Sequence, residues 1–531
     1  MKKKNVVLST IIVLVVLGVI YYVTLPAFNI HSADVWYMFM FIIVLIGLWY
    51  AKKNHLHLNE VKESKGLKTI VGILVALIAV YFVGSVLSSP IINAKKYQAL
   101  LTVEEGEFTK DIEELSFDQI PLIDRDSAQI LGNRKMGSMS DMVSQFEVDD
   151  IYSQINYQNR PVRVSPLRYA NVIKWFTNRQ EGIPAYIRID MASQTTELVK
   201  LEEGMKYSNS EYFGRNIYRH LRFARPTYIF GELSFEIDEE GTPYWIAPVK
   251  KFNIGLFGGE TVGRVVLCNA ITGEIHDYKV EDVPLWVDRA YSADLLVQLY
   301  DYYGALKHGF LNSILSQKDC LKTTTGYNYL AIGDDVWVYT GVTSVNSDQS
   351  NVGFVLMNQR TMETKYYPVE GATEDSAMAS AEGQVQNLHY VATFPLLLNI
   401  SGEPTYFVAL KDDAGLVKKY AMVNVQKYQL VAIGDTVSQC EEQYNQLLWT
   451  GGVKKEEADD SKLKTADGVI TKIAQSVIDG NSHYFIMLQD MDIIFDVNVA
   501  DMIDIVRYDV GDEISISYKE GTKVSQVLEI Q

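Results

Sequence analysis

The residue types that carry most enzyme chemistry occur in this chain, but their spacings match none of the common catalytic or cofactor motifs. The sequence has no G-x-x-x-x-G-K-[ST] phosphate loop, no H-E-x-x-H zinc motif, no C-x-x-C pair and no G-x-S-x-G nucleophile turn. Its 8 histidines are scattered, and the neighbours His55 and His57 make a poor metal site by themselves. We therefore predict no catalytic, no cofactor-binding and no metal-binding residues.

The remaining nucleophiles and acids have simpler interpretations. The cysteines Cys268, Cys320 and Cys440 stand far apart, and Cys268 lies in an apolar run, which is typical of a buried, inert thiol. Adjacent carboxylates at 239–240, 334–335 and 412–413 lie at predicted turns, where turn formation explains them better than acid–base catalysis. A protein without enzymatic activity is thus favoured over an enzyme.

Composition excludes several other classes. A chain of 531 residues usually forms two to four domains, and 48% hydrophobic residues exclude a disordered chain. The net charge of -18 argues against nucleic-acid binding, which normally needs a basic surface. Three cysteines cannot form a disulfide framework.

The N-terminal 90 residues contain three uncharged apolar runs, at 6–23, 35–51 and 69–89. Runs of this length can cross a hydrocarbon core about 30 Å thick. Aromatic pairs at 36–37 and 49–50 bracket the second run, as expected at the two faces of a membrane. A signal peptide is the alternative for the first run, but the run is too long and no small-residue cleavage site follows it. We predict a three-helix membrane anchor over 1–90, with the lipid bilayer as its partner.

Lysine positions predict how this anchor is oriented. Lysines occur at positions 2–4 and, between the second and third runs, at 52, 53, 62, 65 and 68, whereas 25–34 has neither Lys nor Arg. The positive-inside rule places the lysine-bearing segments in the cytoplasm. Lys95 and Lys96 oppose this orientation but are outnumbered. Three crossings then place the C-terminal domain on the outer side of a cell membrane.

The region after the anchor begins with an acidic segment and continues with internal repeats. We interpret 91–123 as an acidic, solvated stalk, because six carboxylates lie between 104 and 114. In the repeats, GTPYW from Gly241 returns as GDDVW from Gly333 and GEPTY from Gly402, with a weaker copy, NRPVR, from Asn159. This alignment predicts that the aromatic residues Trp245, Trp337 and Tyr406 occupy equivalent buried positions, with Arg163 in the weaker copy.

A second motif follows each of these copies. Hairpins are predicted at NAITGEI from Asn269, NQRTMET from Asn358 and NVQKYQL from Asn424, and a longer version starts at Asp190. Helix-like stretches precede the strand pairs at 212–224, 295–315 and 374–386. We therefore predict an α+β fold with about four tandem helix-plus-antiparallel-sheet units over 124–450.

These units resemble a known module. The strand and hairpin VVLCNAITGEIHDY, at 265–278, is similar to the PepSY domain of bacterial secreted and membrane proteins. The resemblance covers about 124–435 in degenerate copies, and the later copies have Met362 and Tyr428 in place of the turn glycine. Stretches such as YTGVTS at 339–344 are also similar to uncharacterised bacterial membrane proteins. PepSY modules are regarded as non-catalytic regulatory or binding modules, which is what the resemblance implies here.

The C-terminal region changes character after Trp449. Residues 451–465 are charged and typical of a linker. Five short alternating runs over 466–531 predict a small β-barrel of OB or SH3-like type. Its acidic residues, Asp490, Asp492, Asp501 and Asp504, argue against nucleic acid as a ligand.

Three functions fit these features. The first is an extracytoplasmic scaffold or binding protein, with regulation of an envelope enzyme or complex as its role. Its 33 tyrosines suit a contact surface in a groove between units, and envelope proteins or a cell-wall polymer are the predicted partners. An envelope hydrolase with a site assembled between repeats is the first alternative, and a structural subunit of a membrane complex is the second.

Overall fold

Three long helices open the chain in the computed structural model, which describes residues 2–54, 64–114, 119–344, 350–450, 463–478, 481–499, 502–519 and 524–530. They are α1 (Lys2–Thr24), α2 (Ala33–Lys53) and α3 (Lys65–Ser88). Among the described residues, α2 and α3 are long and apolar enough to cross a membrane, whereas α1 contributes only the shorter stretch Val15–Thr24. Two of the three predicted spans therefore meet this test. His55 and His57 lie outside the described residues, as does most of the predicted linker.

The predicted acidic stalk contains α4 (Pro90–Gln98), β1 (Glu104–Glu105) and α5 (Phe108–Asp111). Its six carboxylates are exposed, but several of its apolar side chains are buried, among them Tyr97 and Phe108. Strand β1 pairs in parallel with Thr364–Tyr367. The segment is thus acidic on its outer side and packed against the folded protein on its inner side.

Four groups of helices and antiparallel strands follow within the described residues. Group I comprises α6 (Arg125–Gly137), β2 (Phe146–Val148), β3 (Ser153–Tyr157), β4 (Arg160–Tyr169), α7 (Val172–Asn178), β5 (Ile183–Asp190) and β6 (Thr196–Met205). Group II comprises α8 (Ile217–Ala224), β7 (Ser234–Ile237), β8 (Pro243–Ile254), β9 (Gly258–Asn269) and β10 (Ile275–Lys279).

Group III comprises α9 (Ala293–Ala305), α10 (Phe310–Ile314), β11 (Leu321–Thr323), β12 (Asn328–Ile332), β13 (Asp335–Ser344), β14 (Ser350–Asn351), β15 (Gly353–Asn358) and β16 (Thr364–Tyr367). Group IV comprises β17 (Gly371–Ala372), α11 (Glu374–Gln384), β18 (Val391–Ala392), β19 (Leu396–Ile400), β20 (Glu403–Lys411), β21 (Val417–Asn424), β22 (Val431–Gly434) and α12 (Val437–Thr450). The main sheets of the four groups, sheets I to IV, have the central strand pairs β4–β5, β8–β9, β13–β15 and β20–β21. The fold class is α+β, as predicted.

The predicted second hairpin has the same local geometry in all four groups. The side chain at its first position accepts hydrogen bonds from the backbone N–H groups two and three residues later, at 2.8 to 3.1 Å. These side chains belong to Asp190, Asn269, Asn358 and Asn424. Such turns need a short side-chain oxygen, which explains why only Asn or Asp occurs there.

The alignment of the buried aromatic residues is wrong by one position in group III. Trp245 pairs with the residue before Asn269, and Tyr406 pairs with the residue before Asn424. Trp337 instead pairs with Asn358 itself. Because side chains alternate along a strand, Trp337 points to the face opposite to that of its neighbour Val338, the true counterpart.

The cause is the position of the preceding turn. The two-residue turn before β13 is at 333–334 and has glycine first, whereas the turn before β20 is at 401–402 and has glycine second. Aligning the glycines therefore shifts one strand. All three aromatic side chains are nevertheless buried, with exposed fractions of 0% for Trp245 and Tyr406 and 8% for Trp337.

The chain forms two compact units, Met1–Leu447 and Leu448–Gln531. The second unit contains the predicted small barrel, closed in the order β23 (Leu463–Ile478), β24 (Asn481–Leu488), β25 (Phe495–Asn498), β27 (Ser525–Ile530) and β26 (Glu513–Lys519). The long first strand pairs with both of its neighbours and has a register shift between Ile470 and Lys472, which lets it curve around the barrel. Aliphatic residues, Phe495 and Tyr518 fill the interior.

Candidate functional site

A cleft lined by hydroxyl groups lies between groups III and IV, with a volume of about 260 Å³. We name it the threonine cleft, and its lining consists of Lys322, Thr323, Thr324, Thr325, Thr343, Thr373, Glu374 and Asp375. The first strand of sheet III and the segment after it supply one wall, and the start of α11 supplies the other. The wall at α11 is held by Thr373, whose side chain caps the helix by accepting a hydrogen bond from the Ser376 N–H at 3.3 Å.

Glu374 is the only lining residue of the cleft that combines near-complete burial with an ionisable group. Its exposed fraction is 1%, and its Oε1 atom has no hydrogen-bond partner among the described residues. Burial raises the pKa of Glu374, and the nearby Asn351 amide, Thr324 hydroxyl and Gly341 N–H oppose the shift without cancelling it. A buried carboxyl group of this kind can donate a hydrogen bond while it is neutral.

Asn351 connects Glu374 to sheet IV. Its Nδ2 group donates to Glu374 Oε2 at 3.3 Å and to Tyr406 Oη at 3.1 Å. The Tyr406 hydroxyl in turn donates to the Ala372 carbonyl at 2.8 Å. The Asn351 Oδ1 atom is buried and, within the described part of the chain, has no hydrogen-bond partner. Two buried acceptors, on Glu374 and Asn351, are therefore left for a small polar group or for water.

A glycine makes room for this cluster. A Cβ atom at Gly341 would collide with the Asn351 amide and with Glu374 Oε1. Gly341 belongs to the YTGVTS stretch, and the neighbouring Thr340 hydroxyl lies 3.3 Å from that of Thr324. The same stretch contributes Thr343 to the lining of the threonine cleft.

The composition of the cleft decides what it can bind. Hydroxyl groups, a protonatable acid and one exposed lysine suit a ligand rich in hydroxyl and amide groups, since each can donate or accept a hydrogen bond. Within the described residues, no group of three or more His, Cys, Asp or Glu side chains could hold a metal ion. The cleft thus has the chemistry of a polar binding site.

A second cleft, of about 410 Å³, lies between sheet II and α9. Its charged side chains largely neutralise one another, because Lys250 pairs with Glu260 at 2.8 Å and Arg289 pairs with Glu232 at 3.0 Å. A ligand would have to compete with these pairs. It is the weaker candidate for that reason.

A buried carboxyl pair joins groups I and II. Glu236 and Asp288 are 0% and 1% exposed. Glu236 accepts hydrogen bonds from the Asp288 N–H at 2.9 Å, the Arg289 N–H at 3.2 Å and the Ser234 hydroxyl at 3.0 Å. Asp288 accepts one from the Asn156 N–H at 2.7 Å. Burial raises the pKa of Glu236 to about 7, and burial together with the charge of Glu236 raises that of Asp288.

The residues considered from the sequence have structural roles. The three cysteines are free and buried, and burial raises the pKa values of Cys268 and Cys440 to about 12. Asp412 accepts hydrogen bonds from two backbone N–H groups of its own turn. Asp335 forms a bidentate ion pair with Arg360. None of them lines the threonine cleft.

The residues of the cleft were not found from the sequence. Glu374, Asn351 and Thr324 are distant along the chain, and each looks ordinary in its local context. The run of threonines at 323–325 and the Thr-Glu pair at the start of α11 are the available signals, but nothing in either predicts that they meet.

No model of a known protein family matches the chain, and no curated protein matches it in sequence.

Proposed function

We propose that the protein is a membrane-anchored, extracytoplasmic binding protein that holds a hydroxyl- and amide-rich cell-wall polymer in the threonine cleft. Glu374 carries this proposal, because a buried carboxyl group with an unpartnered oxygen in a cleft is best explained by a polar ligand. Regulation of an envelope enzyme or complex is the role proposed for the bound state. The PepSY-like character of the four groups is part of the same proposal and agrees with a module that binds without turnover.

Contacts between the helices and the sheets support an anchor made of α1, α2 and α3. The turn joining β8 to β9 is held by the end of α3, where Ser88 Oγ accepts a hydrogen bond from the Leu256 N–H at 2.8 Å. Just before α2, His31 Nδ1 lies 2.7 Å from the Leu256 carbonyl. The end of α3 and the start of α2 therefore lie on the side of the folded groups. The lysine-bearing segment between the two helices then belongs to the other side, the cytoplasm.

A reporter experiment tests this orientation. An alkaline phosphatase fused after Gln531 should be active, because the enzyme folds only outside the cytoplasm, and one fused at Glu60 should be inactive. A green fluorescent protein at the same two positions is the control and should give the opposite pattern. The reverse result at both sites would refute the orientation and, with it, the extracytoplasmic location.

The binding proposal is tested with the purified full chain in detergent and solubilised disaccharide-peptide fragments of peptidoglycan. Thr324→Val should weaken binding about fivefold, since it removes one hydrogen bond worth about 1 kcal/mol. Glu374→Gln should weaken it by at least as much, because it replaces one carboxyl oxygen, which can accept a hydrogen bond, with an amide NH2 group, which can only donate. Titration calorimetry measures both.

Matched variants at exposed positions serve as controls. Thr109→Val and Glu113→Gln change the same side-chain types outside the cleft and should leave the affinity unchanged. Equal affinity in all four variants, or no binding by the natural chain, would contradict the proposed ligand site.

An envelope hydrolase is the second candidate, because a carboxyl group whose pKa is raised by burial can act as a general acid. The same preparation distinguishes the two functions. The natural chain should then slowly release shortened fragments, and the loss of this release in Glu374→Gln while binding persists would favour the hydrolase.

A structural subunit of a membrane complex is a further alternative. Such a subunit would lose its partner when α1 to α3 are exchanged for an unrelated anchor.

A further inference from the structure

An exposed apolar surface is formed by α7, α8 and the single helical turn Phe213–Arg215. Ile173, Phe176 and Phe213 are 69%, 61% and 65% exposed, although each is a large hydrophobic side chain. Tyr218 and Phe223 of α8 are exposed as well. We name these five side chains, with the cations described next, the aromatic–arginine patch. Side chains of this size are exposed together mainly at interaction sites.

The charges of the patch have one sign. Lys174, Arg215, Arg219 and Arg222 lie on these elements, and Arg179 caps the end of α7. No Asp or Glu occurs in any of the three elements. This is unexpected in a chain with a net charge of -18 and implies an anionic partner.

The patch is continuous with the end of α1. The Arg219 guanidinium lies 4.7 Å from the centre of the Tyr22 ring, and the Phe223 ring lies 6.2 Å from those of Tyr21 and Tyr22. Arg222 Nε donates to the Leu25 carbonyl at 2.9 Å. Because both the first and the last turn of α8 contact the same turn of α1, α8 crosses the end of α1 instead of extending away from it.

Contacts between α7 and the Phe213–Arg215 turn add α7 to this surface. Arg215 donates to the Arg179 carbonyl at 2.6 Å, and the Trp175 and Phe213 rings are 6.0 Å apart. The buried Trp175 fixes the helix, since its Nε1 group donates to Glu211 at 2.7 Å. The exposed face of α7 therefore lies beside the Phe213–Arg215 turn, which directly precedes α8.

We propose that the aromatic–arginine patch inserts into the anionic headgroup layer of the same bilayer that holds α2 and α3. Aromatic rings favour the interface between water and hydrocarbon, while long arginine side chains place their charge at the phosphates. An acidic ectodomain would otherwise be repelled by an anionic membrane, so a local cationic surface sets which side faces the lipid. This inference rests on the proposed membrane insertion.

The test uses the full chain in lipid nanodiscs, with a nitroxide spin label on Ile173→Cys. A label on Val391→Cys, an exposed position in group IV, is the control. In discs of phosphatidylglycerol, label 173 should be several-fold more accessible to lipid-soluble oxygen than to a water-soluble nickel chelate, and label 391 should show the reverse preference. Changing Arg179 and Arg215 together to Gln, or using phosphatidylcholine, should reduce the preference at 173.

The outcomes separate this inference from the proposed anchor. If the chain enters the discs but label 173 stays accessible to nickel, the patch proposal is wrong and the anchor stands. If label 173 is immobile and shielded from both reagents, a protein partner covers the patch and the lipid proposal is again wrong. If the chain does not enter the discs at all, both proposals fail.

Discussion

Replacing Trp245 with alanine is expected to lower the free energy of unfolding by about 3–5 kcal/mol, the usual range for truncating a buried large aromatic residue. Its side chain is 0% exposed in the core shared by sheets I and II. The indole Nε1 group donates to the Tyr207 carbonyl at 2.9 Å, and the ring centre lies 5.5 Å from that of Phe235. The substitution leaves both a cavity and an unpaired carbonyl group.

Tyr406→Ala should be similarly destabilising, because Tyr406 is the counterpart of Trp245 in group IV and its hydroxyl is hydrogen-bonded on two sides. Tyr428→Ala is the control, since Tyr428 is 43% exposed and should change stability by less than about 0.5 kcal/mol. Denaturant unfolding of the full chain in detergent measures the three variants. A loss below about 1 kcal/mol for Trp245→Ala would contradict its place in the core.

Stability is expected to fall as the pH rises from about 4.5 to about 7, because of the buried pair Glu236 and Asp288. The pKa of Glu236 is raised from 4.5 to about 7 by burial, so the folded state binds more protons than the unfolded state in this interval. The stability that the protonated Glu236 contributes is fully present below the pKa of its unfolded state, and it is lost as the pH rises through the pKa of its folded state. One pKa unit corresponds to about 1.4 kcal/mol, so Glu236 alone accounts for about 3 kcal/mol.

The measurement compares melting temperatures at pH 5 and pH 8. In Glu236→Gln the melting temperature should fall less between pH 5 and pH 8 than it does in the natural chain, whatever the absolute stability of the variant. Glu202→Gln, at an exposed position, should retain the full fall. A natural chain that is equally stable at both pH values, or a Glu236→Gln variant with an unchanged fall, would show that the pair is ionised in the folded state.

Local patterns predicted the parts of the fold that depend on few neighbouring residues. The hairpins at Asp190, Asn269, Asn358 and Asn424 follow from hydrogen bonds that each side chain makes two and three residues further on. The small barrel follows from five alternating runs separated by turn residues. The apolar character of α2 and α3 is likewise a property of composition.

Strand register was harder to predict, because it depends on where a turn begins. The motif alignment placed Trp337 with Trp245. In the turn at 333–334, however, the glycine is the first residue, whereas in the turn at 401–402 it is the second, so the strand after Gly333 begins one residue further from its glycine. A shift of one residue moves a side chain to the other face of the sheet. Trp337 is therefore buried, as predicted, but against a different layer than Trp245.

The threonine cleft and the aromatic–arginine patch were decided only by the tertiary structure. Thr324, Asn351 and Glu374 belong to separate segments, and they meet because groups III and IV pack against each other. Arg219 and Tyr22 are nearly 200 positions apart in the chain, and they are in contact because α8 packs against the end of α1. By itself, the sequence determined the apolar character of α2 and α3, the turns and the alternation of the strands, all of which are short-range properties. Burial of a carboxyl group and the joining of cations into one surface depend on contacts between distant segments, which only the packed chain specifies.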